Sequence, residues 1–311
     1  MKQILFIVNP HSARGATREM WATVSRGLAQ SGVEFSDHLT SRAGEATLVA
    51  REALLAGASR VVAVGGDGTL SEVVNGYLDS AGRPVNQSAS LGLLPSGTGS
   101  DFRRSIGLGN LKQAISSVLS DKTELIDAAQ AFFRDEDGRE ASRHFINLAS
   151  FGLGGDVSAY VNRWRDRLPG WIGGQARFVA AALLGLKHYR LHRLRISADG
   201  EPAFIIESNL IVIANGKFAG AGMMLAPNAE LNDGLLDLIL TDHATRLDVI
   251  RELPRIRRGG YLKNPKVREL RAREITITGE ARLAIDIDGE MAGYTPARLR
   301  ILPAAVRFAM S

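Results

Sequence analysis

The chain of 311 residues contains no cysteine. Disulfides, thiolate metal centres and a cysteine nucleophile are therefore excluded, and a reducing compartment fits this composition. No apolar run is long enough to read as a membrane span. Met1 runs directly into a strand-like Gln3–Val8 with no basic leader. A cytoplasmic protein, soluble or peripheral to the membrane, is expected. Internal repeats and low-complexity tracts are missing too. So are the two common nucleotide fingerprints, G-x-G-x-x-G and the Gly-Lys-Ser/Thr of a P-loop.

A different glycine loop is present. Val61-Val-Ala-Val64 leads into Gly65-Gly66-Asp67-Gly68-Thr69-Leu70-Ser71, and a helical pattern follows. The glycines let a ligand approach the main chain closely. Thr69 and Ser71 lie where the free N–H groups of a starting helix attract an anion. Asp67 is out of place in a pure anion site, because a carboxylate repels phosphate unless a metal ion or a transferable proton takes part. The loop therefore points to phosphate together with Mg²⁺. Read alone, it is also compatible with a tight turn and a solvated acidic cap.

Net charge is +5. Residues 251–273 hold nine basic side chains against Glu252 and Glu269, so this segment is +7 and the remainder is −2. Such a face attracts nucleotide phosphates, nucleic acid or an anionic membrane surface, unless acids elsewhere balance it.

A chain of this length is expected to form two domains. Through about residue 126, strand and helix patterns alternate. Strand patterns cover Ile4–Val8, Val33–Leu39, Val61–Val64 and Leu91–Leu94, and helix patterns Ala16–Gln30, Ala43–Ala56, Leu70–Leu78 and Leu111–Leu119. Repeated βα units predict an α/β domain with a Rossmann-like parallel sheet. Ligands of such sheets bind at the carboxyl ends of the strands. The loops at Asn9, Gly65 and Gly97 should therefore share one rim, and the backbone N–H groups of Gly97 and Thr98 join those of Gly66–Thr69 as phosphate donors. Asp67, with Asp101 and Asp127, is a candidate for holding Mg²⁺ through water.

From residue 127 to 311, short strand candidates follow one another at Phe145–Leu148, Leu194–Ala198, Phe204–Ile206, Leu210–Ala214, Leu235–Leu240, Glu274–Thr278 and Leu283–Ile287. A mostly antiparallel second domain is expected. One helix is expected over Arg163–His188, broken at Pro169-Gly170 and Gly173-Gly174. Residues 297–311 read as a strand that could return to the first domain.

Asn9-Pro-x-Ser12, Gly65-Gly-Asp-Gly-Thr69, Pro95-x-Gly97-Thr98 with Asp101-Phe102, Asp127, Asn147 and Asp288-Gly-Glu290 occur in that order. In this set the chain resembles the diacylglycerol kinase catalytic family in its soluble bacterial YegS-like form, over essentially its whole length. Gly-Gly-Asp-Gly-Thr alone is shared with NAD kinases; the ordered set is more specific. The resemblance implies an NAD kinase/diacylglycerol kinase-like fold: a nucleotide-binding α/β domain, a C-terminal β-sandwich, and the active site in their cleft. It implies ATP-dependent phosphorylation of a lipid hydroxyl at the inner face of the membrane. Thr40, the loop Gly65–Ser71 and Thr98 would contact ATP, and Glu290 would accept the proton, with Asp67 as the rival base. The Asp233 carboxylate and the carbonyls of Glu230 and Leu235 would bind a structural Mg²⁺. Without the family, Asp233-Gly234 and Asp288-Gly289 read as ordinary hairpin turns.

Two positions of one motif depart from the family, Ser100 in place of Asn and Arg103 in place of Ala. The usual Gly-Thr-x-Asn-Asp-Phe-Ala-Arg is here Gly97-Thr98-Gly99-Ser100-Asp101-Phe102-Arg103-Arg104. Ser100 lacks an amide that donates and accepts together. Diacylglycerol is the default acceptor; ceramide, a sphingoid base, phosphatidylglycerol and a monoacylglycerol remain open. Other readings are an NAD kinase-like phosphotransferase, a regulator that binds nucleotide or lipid without turnover, and a nucleic-acid binder. The oligomeric state, a homodimer included, is open. For the membrane surface, Arg163–Trp171, with two tryptophans among arginines, is a second candidate beside the basic segment.

Overall fold

Ile4–Val8 is buried at all five positions and forms β1. A run without alternation is what a strand covered on both faces of a sheet requires. The computed structural model describes residues 3–96, 100–164 and 174–310. The chain divides into two compact units, Met1–Asp127 with Ala304–Ser311, and Ala128–Pro303.

In the first unit, β1 is followed by α1 (Ala16–Gln30), β2 (Ser36–Leu39), α2 (Glu45–Leu55), β3 (Arg60–Gly65), α3 (Asp67–Tyr77), β4 (Ser90–Pro95), α4 (Phe102–Ser105) and α5 (Leu111–Leu119). All pairings are parallel, in the order β2-β1-β3-β4. Phe308 of the C-terminal strand adds beside Leu91, also in parallel. Trp21, Val24 and Leu28 of α1 pack with Ala114 and Val118 of α5 against Phe6, Val62 and Leu94 of the sheet. Strand β2 is shorter than its sequence pattern, because Val33 and Phe35 turn into this cluster ahead of the ladder. Helix α3 starts three residues before the expected Leu70: Gly66 caps it with extended backbone, and the Leu70 N–H donates to the Gly66 carbonyl at 3.2 Å.

The second unit is a β-sandwich with three α-helices among the described residues. Strand β5 (Thr123–Arg134) enters it from the first unit, followed by β6 (Glu140–Phe145), β7 (Leu148–Gly152), α6 (Leu153–Trp164), α7 (Gly174–Gly185), β8 (His192–Ala198), β9 (Phe204–Ser208) and β10 (Leu210–Ala214). Then come a small ribbon of β11 (Phe218–Ala219) and β12 (Met223–Met224), β13 (Leu236–Thr241), α8 (Arg246–Ile256), β14 (Val267–Ala272), β15 (Glu274–Gly279), β16 (Ala284–Ile287) and β17 (Glu290–Ala309). One run of strands reads β14-β13-β10-β7-β16-β17; β15 joins β17 to β8 and β9, and β5 joins β17 to β6. Inward-facing Phe133, Phe151, Ile196, Ile213, Leu238 and Leu299 belong to one buried cluster. The residues of β17 from Ala304 onward belong to the first unit. Among the described residues no helix is long and apolar enough to cross a membrane.

The helical content differs from expectation in two places. Helix α6 begins at Leu153, ten residues before the expected Arg163, and α8 has no counterpart in the sequence pattern. Gly154 and Gly155 obscure the start of α6, since glycine disfavours a helix interior. Here they are packing residues: a Cβ would lie 2.2 Å from Ser150 Oγ at Gly154 and 2.8 Å from the Ala284 methyl at Gly155. Pro254 within α8 likewise argues against a helix, but Thr245 and Asp248 close a capping box at its start.

Gly76 on α3 meets α2 so closely that a Cβ would stand 2.5 Å from the Thr47 carbonyl and 2.7 Å from the Ala50 methyl. Backbone cannot yield as a flexible side chain does, so Gly76→Val is expected to cost about 1–3 kcal/mol. Urea unfolding of the full chain measures this; an unchanged midpoint would show that α2 and α3 separate freely.

Candidate active site

In the first unit, three loops leave the carboxyl ends of β1, β3 and β4. At the end of β1, the Asn9 N–H donates to the Val64 carbonyl at 3.0 Å, and Asn9 Nδ2 donates to Thr69 Oγ1 at 3.3 Å. The first loop is thereby fixed to α3. Thr40 ends β2 with its N–H on the Val8 carbonyl at 2.8 Å. Gly65 is required by contact, since a Cβ there would come 2.5 Å from Thr69 Oγ1. Leu70 and Ser71 are buried on α3. The N–H groups of Asp67, Gly68 and Thr69 precede the first intrahelical bond and form the donor end of the helix dipole.

Asp67 makes the connection between the β3 and β4 loops. Its Oδ2 accepts the Asp101 N–H at 2.7 Å and its Oδ1 the Phe102 N–H at 3.1 Å. The Ser100 hydroxyl reaches Oδ1 at 3.5 Å, so a residue that departs from the family also donates to Asp67. Asp101 is paired with Arg104 at 2.8 Å, and Asp127 Oδ1 accepts the Ala304 N–H at 2.6 Å. Asp67 and Asp101 are thus brought together through a backbone bond, whereas Asp127 fastens the C-terminal strand. Gly97 and Thr98 lie outside the described residues.

Several polar residues of this rim escape a reading of the sequence. Thr17 Oγ1 is hydrogen-bonded to Ser12 Oγ and to Ser96 Oγ, joining the β1 and β4 loops through hydroxyls of which those of Thr17 and Ser96 are buried. Glu72 accepts the N–H groups of Gly44 and Ala46 at 2.9 and 3.0 Å and ties the β2–α2 loop to α3. Glu72 directly follows the glycine loop, a position that could have marked it. Thr17 and Ser96 stand 79 positions apart and carry no local signal.

In the second unit, Asp288-Gly289 forms the two-residue hairpin between β16 and β17, with φ of +52° and +88°. Two positive values are what this turn demands, which explains Asp-Gly. The same Asp288 accepts backbone N–H groups from Ile146 at 3.3 Å and from Asn147 and Leu148 at 3.1 Å each. Asn147 Nδ2 donates to the Phe218 carbonyl at 2.8 Å. Glu290 is 43% exposed and pairs with Arg143 at 3.2 Å. Burial raises Asp288 to about 6 against these N–H bonds, and raises Asp286 to about 7 against the Ser158 hydroxyl and the Gly289 N–H. In the sequence Asp286 is one acid in an apolar strand and carries no mark of a site.

The segment expected to hold a structural Mg²⁺ already faces a cation. Asp233 Oδ1 accepts the Leu235 N–H at 3.0 Å, as in an Asx turn, and Oδ2 is 3.4 Å from Arg271 Nη1. That Oδ2 makes no hydrogen bond among the described residues, so a cation suits it, and the guanidinium supplies one. No group of three or more His, Asp or Glu side chains among the described residues is arranged to hold a metal. Arg271 thus stands beside Asp233, the one side-chain ligand of the expected set, whose other two ligands are the main-chain carbonyls of Glu230 and Leu235.

Two family models match the chain: the diacylglycerol kinase catalytic domain over residues 3–131, and the YegS C-terminal NAD kinase beta sandwich-like domain over residues 148–310. The diacylglycerol kinase of Bacillus subtilis (strain 168) is 30% identical over 298 residues, covering 95% of this chain and 92% of that protein. The diacylglycerol kinase of Staphylococcus haemolyticus (strain JCSC1435) is 31% identical over 292 residues, covering 94% and 83%. A crystal structure of a diacylglycerol kinase from Bacillus anthracis str. Sterne superposes with a TM-score of 0.71 at 21% identity, covering 100% of this chain and 97% of that one. Yeast NADH kinase complexed with NADH gives 0.53 at 13% identity, covering 100% and 84%, and shares the fold.

Because Asp286 and Asp288 hold protons in the folded chain at pH values where the unfolded chain has lost them, stability is expected to fall as pH rises from about 4 through about 7. Asp286→Asn removes one of these titrations, leaving those of Asp288 and of Asp237, which burial also raises to about 6, and should flatten that fall. Thermal unfolding across this range reads the slope. An unchanged slope in the variant would show that Asp286 is ionised throughout.

Proposed function

We propose that this chain, which belongs to the diacylglycerol kinase catalytic family and is a phosphotransferase acting on a hydroxyl group, moves the terminal phosphoryl group of ATP to the hydroxyl of diacylglycerol. Magnesium enters with ATP as part of that substrate. Phosphoryl transfer depends on positioning and on neutralising charge more than on covalent help. The observation that carries the reading is Asp67 bound to the Asp101 and Phe102 N–H groups. It sets the β4 loop against the start of α3, so that the N–H groups of Asp67, Gly68 and Thr69 can receive phosphate oxygens. Asn9 and Thr69 brace this end of the helix, and Thr40 closes the neighbouring strand end.

Glu290 is the proposed proton acceptor. As the acceptor oxygen bonds to the terminal phosphorus, the bond to the bridging oxygen of ADP breaks, and the hydroxyl proton passes to the Glu290 carboxylate. Arg143, 3.2 Å away, holds that carboxylate in place. Asp67 has a different role. Both of its oxygens are engaged by backbone donors, so it positions the loops.

The two roles separate in kinetics. Glu290→Gln should lower kcat by roughly 10²–10⁴-fold while leaving the KM for ATP near its original value. Asp67→Asn presents an amide to two N–H donors, releases the β4 loop and should cost roughly 10²-fold or more through misplacement. It should also speed hydrogen exchange at Asp101 and Phe102. Near-normal turnover of either variant with ATP and diacylglycerol in mixed micelles would remove that residue from the mechanism.

The enzyme meets its lipid at an anionic membrane surface in this proposal. The basic segment is partly spent on ion pairs: Arg255 with Glu252, Lys266 with Asp248, and Arg271 with Asp233 and Asp237. Arg251, Arg257 and Arg258 are exposed, near Leu247 and Ile250 of α8, which are 62% and 42% exposed. Each such cation near an anionic surface contributes roughly 1 kcal/mol. The Arg163–Trp171 segment lies outside the residues whose side chains are described. Replacing Arg251, Arg257 and Arg258 by Ser should weaken binding to anionic vesicles and raise the KM for lipid alone. Wild-type binding should fall with salt; salt-insensitive binding to neutral vesicles contradicts the electrostatic part.

A further inference from the structure

Strands β13 and β14 pair with Asp237 opposite Arg271. The Asp237 side chain is 1% exposed, and Arg271, 38% exposed, covers it. Arg271 Nε donates to Asp237 Oδ1 at 3.1 Å, Nη1 stands 3.4 Å from Asp233 Oδ2, and Nη2 donates to the Asn228 carbonyl. One planar guanidinium therefore meets two carboxylates and a carbonyl, donating hydrogen bonds from Nε and Nη2 and facing Asp233 with Nη1. Glu269, two positions before Arg271 on β14, accepts from Asn228 Nδ2 at 2.8 Å and extends the network. A cavity of about 460 Å³ adjoins it, lined by Lys217, Glu230 and Glu269 together with Arg271. Acids outnumber bases in this neighbourhood, so a cation is needed there.

We propose that Arg271 is the resident cation of the Glu230–Leu235 turn, taking the place of a divalent ion, so that the fold of the second unit is independent of Mg²⁺. The guanidinium is placed by strand register, not recruited from solution. Its fork presents several N–H donors in fixed directions, which suits oxygens converging from β13, from the turn and from the Asn228 loop. A divalent ion on Asp233 would have to displace Arg271 or share its carboxylate at a distance where two cations repel. Lysine at this position would offer one point charge and satisfy only part of the set.

Thermal unfolding without nucleotide, with and without millimolar MgCl₂, tests this independently of any kinase assay. Wild type should melt at the same temperature in both buffers. Arg271→Ala should melt lower without metal, and Mg²⁺ should restore it in proportion to the logarithm of its concentration, because an ion bound only by the folded chain stabilises by linkage. Mn²⁺ titration followed by electron paramagnetic resonance should show a bound ion in Arg271→Ala that Asp233→Asn abolishes, and none on this turn in wild type. A rise in wild-type melting with Mg²⁺ that Asp233→Asn removes would overturn the proposal. So would an Arg271→Ala protein as stable as wild type and indifferent to Mg²⁺. If Arg271→Ala fails to fold, the wild-type response and Arg271→Lys, expected to melt between the two, decide the matter.

Discussion

Both oxygens of the Asp67 carboxylate point at backbone N–H groups of the following loop, at 2.7 and 3.1 Å. This contact joins residues 34 and 35 positions apart in sequence. A carboxylate that accepts charge-assisted bonds from main chain holds that main chain more firmly than a neutral side chain does. The starting point of α3, the course of the β4 loop and the contact of Ser100 with Asp67 all refer back to it. An acid inside a phosphate loop thus has a physical reason that does not require it to touch phosphate or metal. It holds the Asp101 and Phe102 backbone against the start of α3.

The second unit uses the same device at its own hairpin. Asp288 occupies a turn position that needs positive φ, and its carboxylate gathers three successive N–H groups from residues 146–148. Glu290 follows immediately, so its place on β17 is fixed by backbone bonds on either side of the turn. Asp286, two residues earlier, is buried and protonated up to about neutral pH, which spares this corner a further negative charge. Reading Asp288-Gly289 as a turn and reading it as part of a site are therefore compatible.

The α/β half of the chain is largely legible in the sequence. Parallel strands buried on both faces read as unbroken apolar runs, and the polar loops follow them directly. The glycine loop, Asn9 and Thr40 lie at strand ends. Asp67 and Asp101 meet across two strand-end loops, Asp67 accepting the Asp101 N–H. Less legible are features that depend on register. Arg271 and Asp237 are 34 residues apart and meet only because β13 and β14 pair as they do. In sequence, Arg271 is one charge in a basic stretch and Asp233 a ligand without a partner. The hydroxyls of Ser12, Thr17 and Ser96 come together by the same kind of long-range closure. Helices α6 and α8 are hidden by glycine and proline whose local preferences tertiary packing and a capping box override.

The acceptor is the point on which kinases of this NAD kinase-like architecture differ, since function lives in the site and not in the fold. The most direct measurement supplies the purified chain with γ-labelled ATP, Mg²⁺ and mixed micelles. Each micelle carries one candidate, diacylglycerol, monoacylglycerol, ceramide, a sphingoid base or phosphatidylglycerol, and NAD is offered in parallel. Label is expected in a lipid phosphate, with diacylglycerol preferred. Label transferred to NAD and to no lipid would contradict a lipid kinase.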